Sequence, residues 1–246
     1  MKRTSPISLL RFAIQRRSAA AAPAVAALAS LLAAGLLEGC GAGPGERAAA
    51  EPAQPELRGT LLEPSWEKPD FTLTDTEGRP FDFRAGTDGF VTLLFFGYTH
   101  CPDVCPVHMA NIAAVLRDID YADRSRIRVV FVTTDPERDT PAVVRAWLDR
   151  FDRSFIGLRG TDAEVDAIQA ALHLPAAIRQ PSRPGPLPGA YAVGHAAQVI
   201  AFTADGRARV VYPFGTRQAD WAHDLPKLVA GGNRPEAARG TAASGS

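Results

Sequence analysis

Residues 90–97, FVTLLFFG, run directly into YTHCPDVCP. An apolar run of strand length without alternation is covered on both faces, which requires layers on either side of a sheet. Val104 to Asp118 then brings apolar residues at Val107, Ile112, Val115 and Leu116, with Ile119 just beyond, close to the helical period. A buried central strand that feeds a helix start is the frame into which the rest of the chain has to fit. Two of the three cysteines, Cys101 and Cys105, stand at that junction.

Strand and helix signals alternate on both sides of this frame. Phe71–Leu73 and Pro80–Phe83 flank Glu77-Gly78 and predict a hairpin. Ile127–Thr133, IRVVFVT, reads as a second buried strand. Thr140-Pro141 starts a helix well, with a hydroxyl N-cap and proline at the first position, and that helix is expected to reach Phe151. Phe155–Leu158 reads as a short strand, and Thr161–Leu172 as a helix opened by the Thr161/Glu164 capping box. Residues 180–190, QPSRPGPLPGA, read as a loop. Ala197–Thr203 and Arg207–Tyr212 flank Asp205-Gly206, a second hairpin signal. Arg217–Ala230 reads as a closing helix that Pro226 shortens or kinks. This order gives an α/β domain with a central mixed sheet flanked by helices. It fits a thioredoxin-like fold with an added N-terminal hairpin.

The ends read differently. Lys2, Arg3, Arg11, Arg16 and Arg17 precede an uncharged, alanine-rich stretch from Ser18 to Leu37. That is the pattern of an export signal peptide or an N-terminal membrane anchor, with the remainder placed outside the cytoplasm. Arg16-Arg17 is a poor match to a twin-arginine signal. Leu37-Glu38-Gly39-Cys40 resembles a bacterial lipobox, with Cys40 as the lipidation candidate and Glu38 where a small residue is usual. The alternative is an uncleaved anchor, and both readings tether the chain to a membrane. Residues 1–39 are thus expected to be signal or anchor, and 40–64, rich in Ala, Pro, Gly and Glu, a flexible tether. The folded domain is expected over 65–231, and a disordered tail over 232–246. Without residues 1–39 the chain keeps 22 basic and 26 acidic residues, which argues against a nucleic-acid partner.

With Cys40 assigned to the membrane end, Cys101 and Cys105 are the only thiols of the folded part. Unpaired N–H groups and the dipole at a helix start stabilise a thiolate, so both cysteines are expected to have lowered pKa values there. Residues four apart on a helix have Cβ atoms roughly 5–6 Å apart. A disulfide wants about 3.5–4.5 Å, whereas an ion held about 2.3 Å from each sulfur relaxes that demand. The spacing allows a redox-active pair and suits a clasped ion better. Two thiolates do not complete a structural zinc site, and two thiolates with one imidazole make a soft, low-coordinate site suited to Cu(I) and adaptable to Cu(II).

The five histidines are the candidates for that imidazole. His100 adjoins Cys101 but is expected to point elsewhere, and His108 has a position from which it could reach back along the helix. His173 follows a helix, and His223 lies on the closing helix without a link to the thiols. His195 precedes the strand Ala197–Thr203. In a thioredoxin-like fold the loop before that strand packs against the thiol-bearing helix start, so topology favours His195.

FFGYTHCPDVCP together with VTTDPERDTP at residues 132–141 resembles the Sco (SenC) family over roughly residues 66–230. The resemblance implies a thioredoxin-like, copper-binding domain held at a membrane and, in a bacterial cell envelope, facing the periplasm. It implies copper on Cys101, Cys105 and His195, and Asp135 as an acidic residue near the site. It also implies a role in cytochrome c oxidase assembly, with the copper-accepting subunit of the oxidase as partner. Pro136, Arg138, Asp139 and Thr140 are expected to fix the turn and the next helix, and Asp103 to be a helix-start charge. The run Val193-Gly194-His195-Ala196 departs from the family, which usually has an acidic residue before the histidine and a serine after it. Two functions follow: a copper metallochaperone, or a thiol–disulfide oxidoreductase that reduces the oxidase subunit's cysteines. A peroxidase of the same fold is a third reading, but CPDVCP is not the peroxidase pattern.

Overall fold

The computed structural model describes residues 56–181 and 191–231. The expected leader, Cys40, the first part of the expected tether, residues 182–190 and the expected tail from residue 232 lie outside the described residues. The elements are β1 (Thr60–Glu67), β2 (Thr72–Asp75), β3 (Pro80–Asp82), α1 (Phe83–Gly86), β4 (Val91–Gly97), α2 (Val104–Asp118), α3 (Tyr121–Arg124) and β5 (Ile127–Thr133). They continue with α4 (Pro141–Leu148), β6 (Ile156–Arg159), α5 (Asp162–Ala171), β7 (Ile178–Pro181), β8 (Tyr191–Gly194), β9 (Val199–Phe202), β10 (Arg207–Tyr212) and α6 (Gln218–Gly231).

Every residue of β4 is buried, and the sheet order β1-β10-β9-β4-β5-β6-β2-β3 explains why. β4 runs parallel to β5 from Val91↔Ile127 to Gly97↔Thr133 and antiparallel to β9. Its alternate side chains feed two cores, as the two-residue period of a strand dictates. Leu93 and Phe95 join Val129 and Phe131 against Met109, Ile112, Trp147, Trp221 and Leu225, which come from α2, α4 and α6. Leu94 and Phe96 join Val130 and Val132 against Phe83, Val165 and Ile168 on the other face. Each such side chain contributes about 1.5–3 kcal/mol by burial. The arrangement is the expected thioredoxin-like α/β fold, and the β2–β3 hairpin is the expected addition. Gly78 and Gly206, at φ +80° and +75°, turn the two expected hairpins.

Several boundaries differ from the sequence expectation. The tether expected to run to residue 64 gives way to β1 at Thr60, an edge strand paired with β10. The fully buried Asp224 carboxylate fastens this segment by accepting from the amides of Arg58 and Gly59 and from the Tyr212 hydroxyl. Gln180 and Pro181, read as loop, complete β7. α4 ends at Leu148 rather than Phe151, because the Leu148 carbonyl accepts from the amides of Phe151 and Asp152 and closes a turn. α6 continues through Pro226 to Gly231. On α2, Val107 is 39% exposed, while His108, Met109 and Ala113 are buried. Among the described residues no helix is long and apolar enough to cross a membrane.

Candidate metal centre

β4 ends at Gly97, whose carbonyl accepts from the Thr134 amide at 2.7 Å. The chain then turns, with the Cys101 amide donating to the Tyr98 carbonyl at 3.2 Å. Cys101 stands ahead of the N-cap residue Asp103, and Cys105 occupies the first turn of α2. The Cys105 amide, one of the N–H groups left open at a helix start, lies 3.4 Å from Sγ of Cys101. Gly97 makes room for the other sulfur. A Cβ at that position would lie 2.7 Å from Sγ of Cys105.

The two thiols are not equivalent, contrary to the expectation that both are acidified. A hydrogen bond from Cys105 lowers the Cys101 pKa to about 3, with help from the amides of Cys105 and Asp103. Burial, followed by the neighbouring Cys101, pushes the Cys105 thiol up. Cys101 is the half-exposed thiolate, and Cys105 the fully buried, protonated partner.

His195 follows β8 directly. Its Nε2 lies 3.4 Å from Sγ of Cys105 and 4.0 Å from Sγ of Cys101. Its Nδ1 lies 2.9 Å from the Ala196 carbonyl oxygen, so Nδ1 carries the hydrogen and the Nε2 lone pair faces the sulfurs. That carbonyl supplies the partner that an acidic residue at 194 would otherwise provide. The rings of Phe95 and Tyr98 hold the imidazole edge-on, at 5.8 and 5.6 Å between centroids. The three donor atoms lie within 4.8 Å of one another. An ion about 2–2.3 Å from each donor fits that spacing, and the donor set favours a soft, low-coordinate ion.

The other histidines do other work. His108 does not reach back to the thiols, because its Nε2–H donates to the Ala197 carbonyl at 2.9 Å and burial lowers its pKa. His100 turns outward, 54% exposed, with Nδ1 3.1 Å from Oγ1 of Thr99. His173 packs on Trp66, and His223 lies between Asp224 and Lys227. Asp135 is fully buried near the site, yet its carboxylate is taken by Arg138 and by the Tyr191 hydroxyl rather than by a thiol or His195. Asp139 ties the thiol turn to β5, accepting from the Thr99 amide at 2.9 Å and from Oγ1 of Thr133 at 2.6 Å. Asp103 makes no side-chain cap bond. Sequence reasoning missed Tyr98, Gly97 and Tyr191. Nearness to the thiols in sequence was a signal for the first two, whereas Tyr191 had none.

The family model described as SCO1/SenC matches residues 60–230. The chain is 37% identical over 98 residues to Protein SCO2, mitochondrial, of Saccharomyces cerevisiae, covering 40% of this chain and 32% of that protein. It is 34% identical over 101 residues to an SCO2-like protein of Rickettsia felis, covering 40% of this chain and 47% of that one. The chain thus spans less than half the length of these two relatives. The copper-bound structure of ScoI from Bradyrhizobium japonicum superposes with a TM-score of 0.57 at 33% identity, over 66% of this chain and 99% of that one. Apo Sco1 from Thermus thermophilus gives 0.62 at 31% identity, over 72% and 99%.

Proposed function

Because this chain belongs to the SCO1/SenC family, we propose that it is a membrane-tethered carrier of copper. It binds one ion through Cys101, Cys105 and His195 and passes it to the copper-accepting subunit of cytochrome c oxidase. The observation that carries this reading is the convergence of two sulfurs and a lone-pair-bearing Nε2 within 4.8 Å. Copper is cargo here. Cys101 offers a ready thiolate at the mouth, Cys105 surrenders its proton when a cation replaces it, and His195 closes the third side. A site with three ligands, one of them half-exposed, leaves a receiving protein's donor free to approach the ion from outside. The copper-bound ScoI relative supports copper as the ion. The basic leader and Cys40 support attachment to a membrane with the domain in the periplasm.

The asymmetry of the thiols favours a second activity, reduction of the client's disulfide. The Cys101 thiolate attacks one client sulfur, forming a mixed disulfide and releasing a client thiolate, which takes up a proton. Cys105 then loses its proton and attacks Sγ of Cys101. This releases the second client thiol and leaves a Cys101–Cys105 disulfide. The test that separates the two readings is His195→Ala. It is expected to weaken Cu(II) binding strongly while reduction of a model disulfide persists. Unchanged copper affinity in that variant would leave the reductase as the function.

A further inference from the structure

Among the described residues β7 and β8 pair only with each other, from Ile178↔Gly194 to Pro181↔Tyr191, and share no ladder with the eight-stranded sheet. His195 extends directly from β8. Its place over the thiols therefore depends on how this ribbon is fastened, and side chains do the fastening. Arg179 on β7 pairs with Asp162 at 2.8 and 3.0 Å, but that pair is exposed and contributes little.

The second anchor is Tyr191, the partly buried first residue of β8. Its hydroxyl donates to Oδ1 of Asp135 at 2.6 Å, and its carbonyl accepts from Nη1 of Arg138 at 3.0 Å. The Arg138 guanidinium lies 3.6 Å from the centre of the Tyr191 ring, and its Nε donates to the Asp135 carboxylate. Phenol, carboxylate, guanidinium and carbonyl thus close a ring around a fully buried acid just past β5, at the end of the sheet where β4 delivers Cys101. The same guanidinium stands 5.7 Å from the Tyr98 ring, the ring that meets His195 edge-on.

We propose that Tyr191 is a positioning residue for the metal site: its hydrogen bond to Asp135, braced by Arg138, sets the height and direction at which β8 presents His195 to Cys101 and Cys105. The inference deepens the copper reading and rests on it. A hydrogen bond to a buried carboxylate is short and directional. Partners of this kind, standing behind metal ligands, typically change metal affinity by about 10–100-fold when lost.

Tyr191→Phe removes the hydroxyl and keeps the ring on Arg138. Cu(II) affinity of the full chain is measured for the unaltered protein, Tyr191→Phe, His195→Ala and the double variant. Tyr191→Phe is expected to lose at least about 10-fold when His195 is present and nothing further when the imidazole is already gone. In the copper-free protein, NMR contacts between the rings of His195 and Tyr98 are expected to weaken in Tyr191→Phe. An equal loss in both backgrounds, or no loss in either, overturns the proposal. Should the unaltered protein bind no copper, or His195→Ala bind it equally well, the copper reading fails. The NMR contacts then decide alone, since unchanged contacts in Tyr191→Phe overturn the positioning role and weakened ones support it.

Discussion

His108 donates from Nε2 to the carbonyl oxygen of Ala197 at 2.9 Å, two residues beyond His195, so the helix that carries Cys105 also grips the chain leaving the imidazole. The His108 ring is walled in by Phe95, Phe214 and Trp221 at centroid distances of 5.2, 5.8 and 6.5 Å. His108→Phe keeps this packing but strands the carbonyl. A stranded acceptor costs about 1–3 kcal/mol when fully buried, and this one is part-buried, so the low end is expected. The expected result is a lower urea midpoint at an unchanged slope. An unaltered midpoint would mean that Ala197 finds another donor.

Gly97→Ala directs a methyl group to 2.7 Å from Sγ of Cys105 and 2.9 Å from the Phe95 ring. Neither neighbour is free to retreat, because both are buried in the same core. Overpacking of this kind costs about 1–3 kcal/mol, and the sulfur is expected to shift. Copper affinity should fall while alkylation of Cys101 continues, which parallel titration and mass spectrometry would read. Copper affinity equal to that of the unaltered protein would contradict the account of Gly97.

The thiols make a prediction with a definite sign. With its pKa lowered to about 3, Cys101 is a thiolate over the whole neutral range. Its alkylation rate is expected to stay nearly flat from about pH 5 to 8, where an ordinary thiol loses about tenfold per unit below its pKa of about 8.5. Cys105, buried and protonated, should react only on unfolding. Because the folded pKa of Cys101 lies below its unfolded value, the unfolded chain binds more protons between about pH 3 and 9. The Cys101 contribution to stability is therefore full above the unfolded pKa and is lost as pH falls towards 3. Cys101→Ser should flatten that slope. An alkylation rate that falls tenfold per unit in the unaltered protein would show an ordinary thiol.

Much of this was legible in the sequence where a single physical signal dominated. The boundaries of α2 and β5, and the centrality of β4, follow from uninterrupted or periodic apolar runs. The Thr161 capping box forms as its spacing implied. β1 escaped notice because an edge strand is mostly exposed and carries Pro64, so it lacks both a buried run and clean alternation. β7 was hidden by the adjacent proline-rich segment. The candidate thiol donors were readable by type and spacing, and His195 only through topology. The unequal thiols were not readable, because a helix start predicts acidification and says nothing of burial. Likewise Asp135 was placed near the site only by the family resemblance, and its engagement by Tyr191 spans 56 residues of sequence.

Asp139 offers a contrast between two acids of the same region. Its buried carboxylate accepts from the Thr99 amide, the Thr99 hydroxyl and the Thr133 hydroxyl. Asp103 is exposed and makes no cap bond. Asp139→Ala is expected to lower stability by about 1–3 kcal/mol or more, through stranded donors, and Asp103→Ala to stay within about 0.5 kcal/mol. Denaturant titration of both variants reads the difference, and equal effects would remove Asp139 from its place as the tie between β5 and the thiol turn.

X-ray absorption at the copper edge of the loaded full chain tests the central claim most directly. Two sulfur neighbours and one imidazole per copper, with the imidazole signal lost in His195→Ala, are the expected result. A spectrum of sulfur neighbours alone, identical in that variant, would contradict a centre built from Cys101, Cys105 and His195.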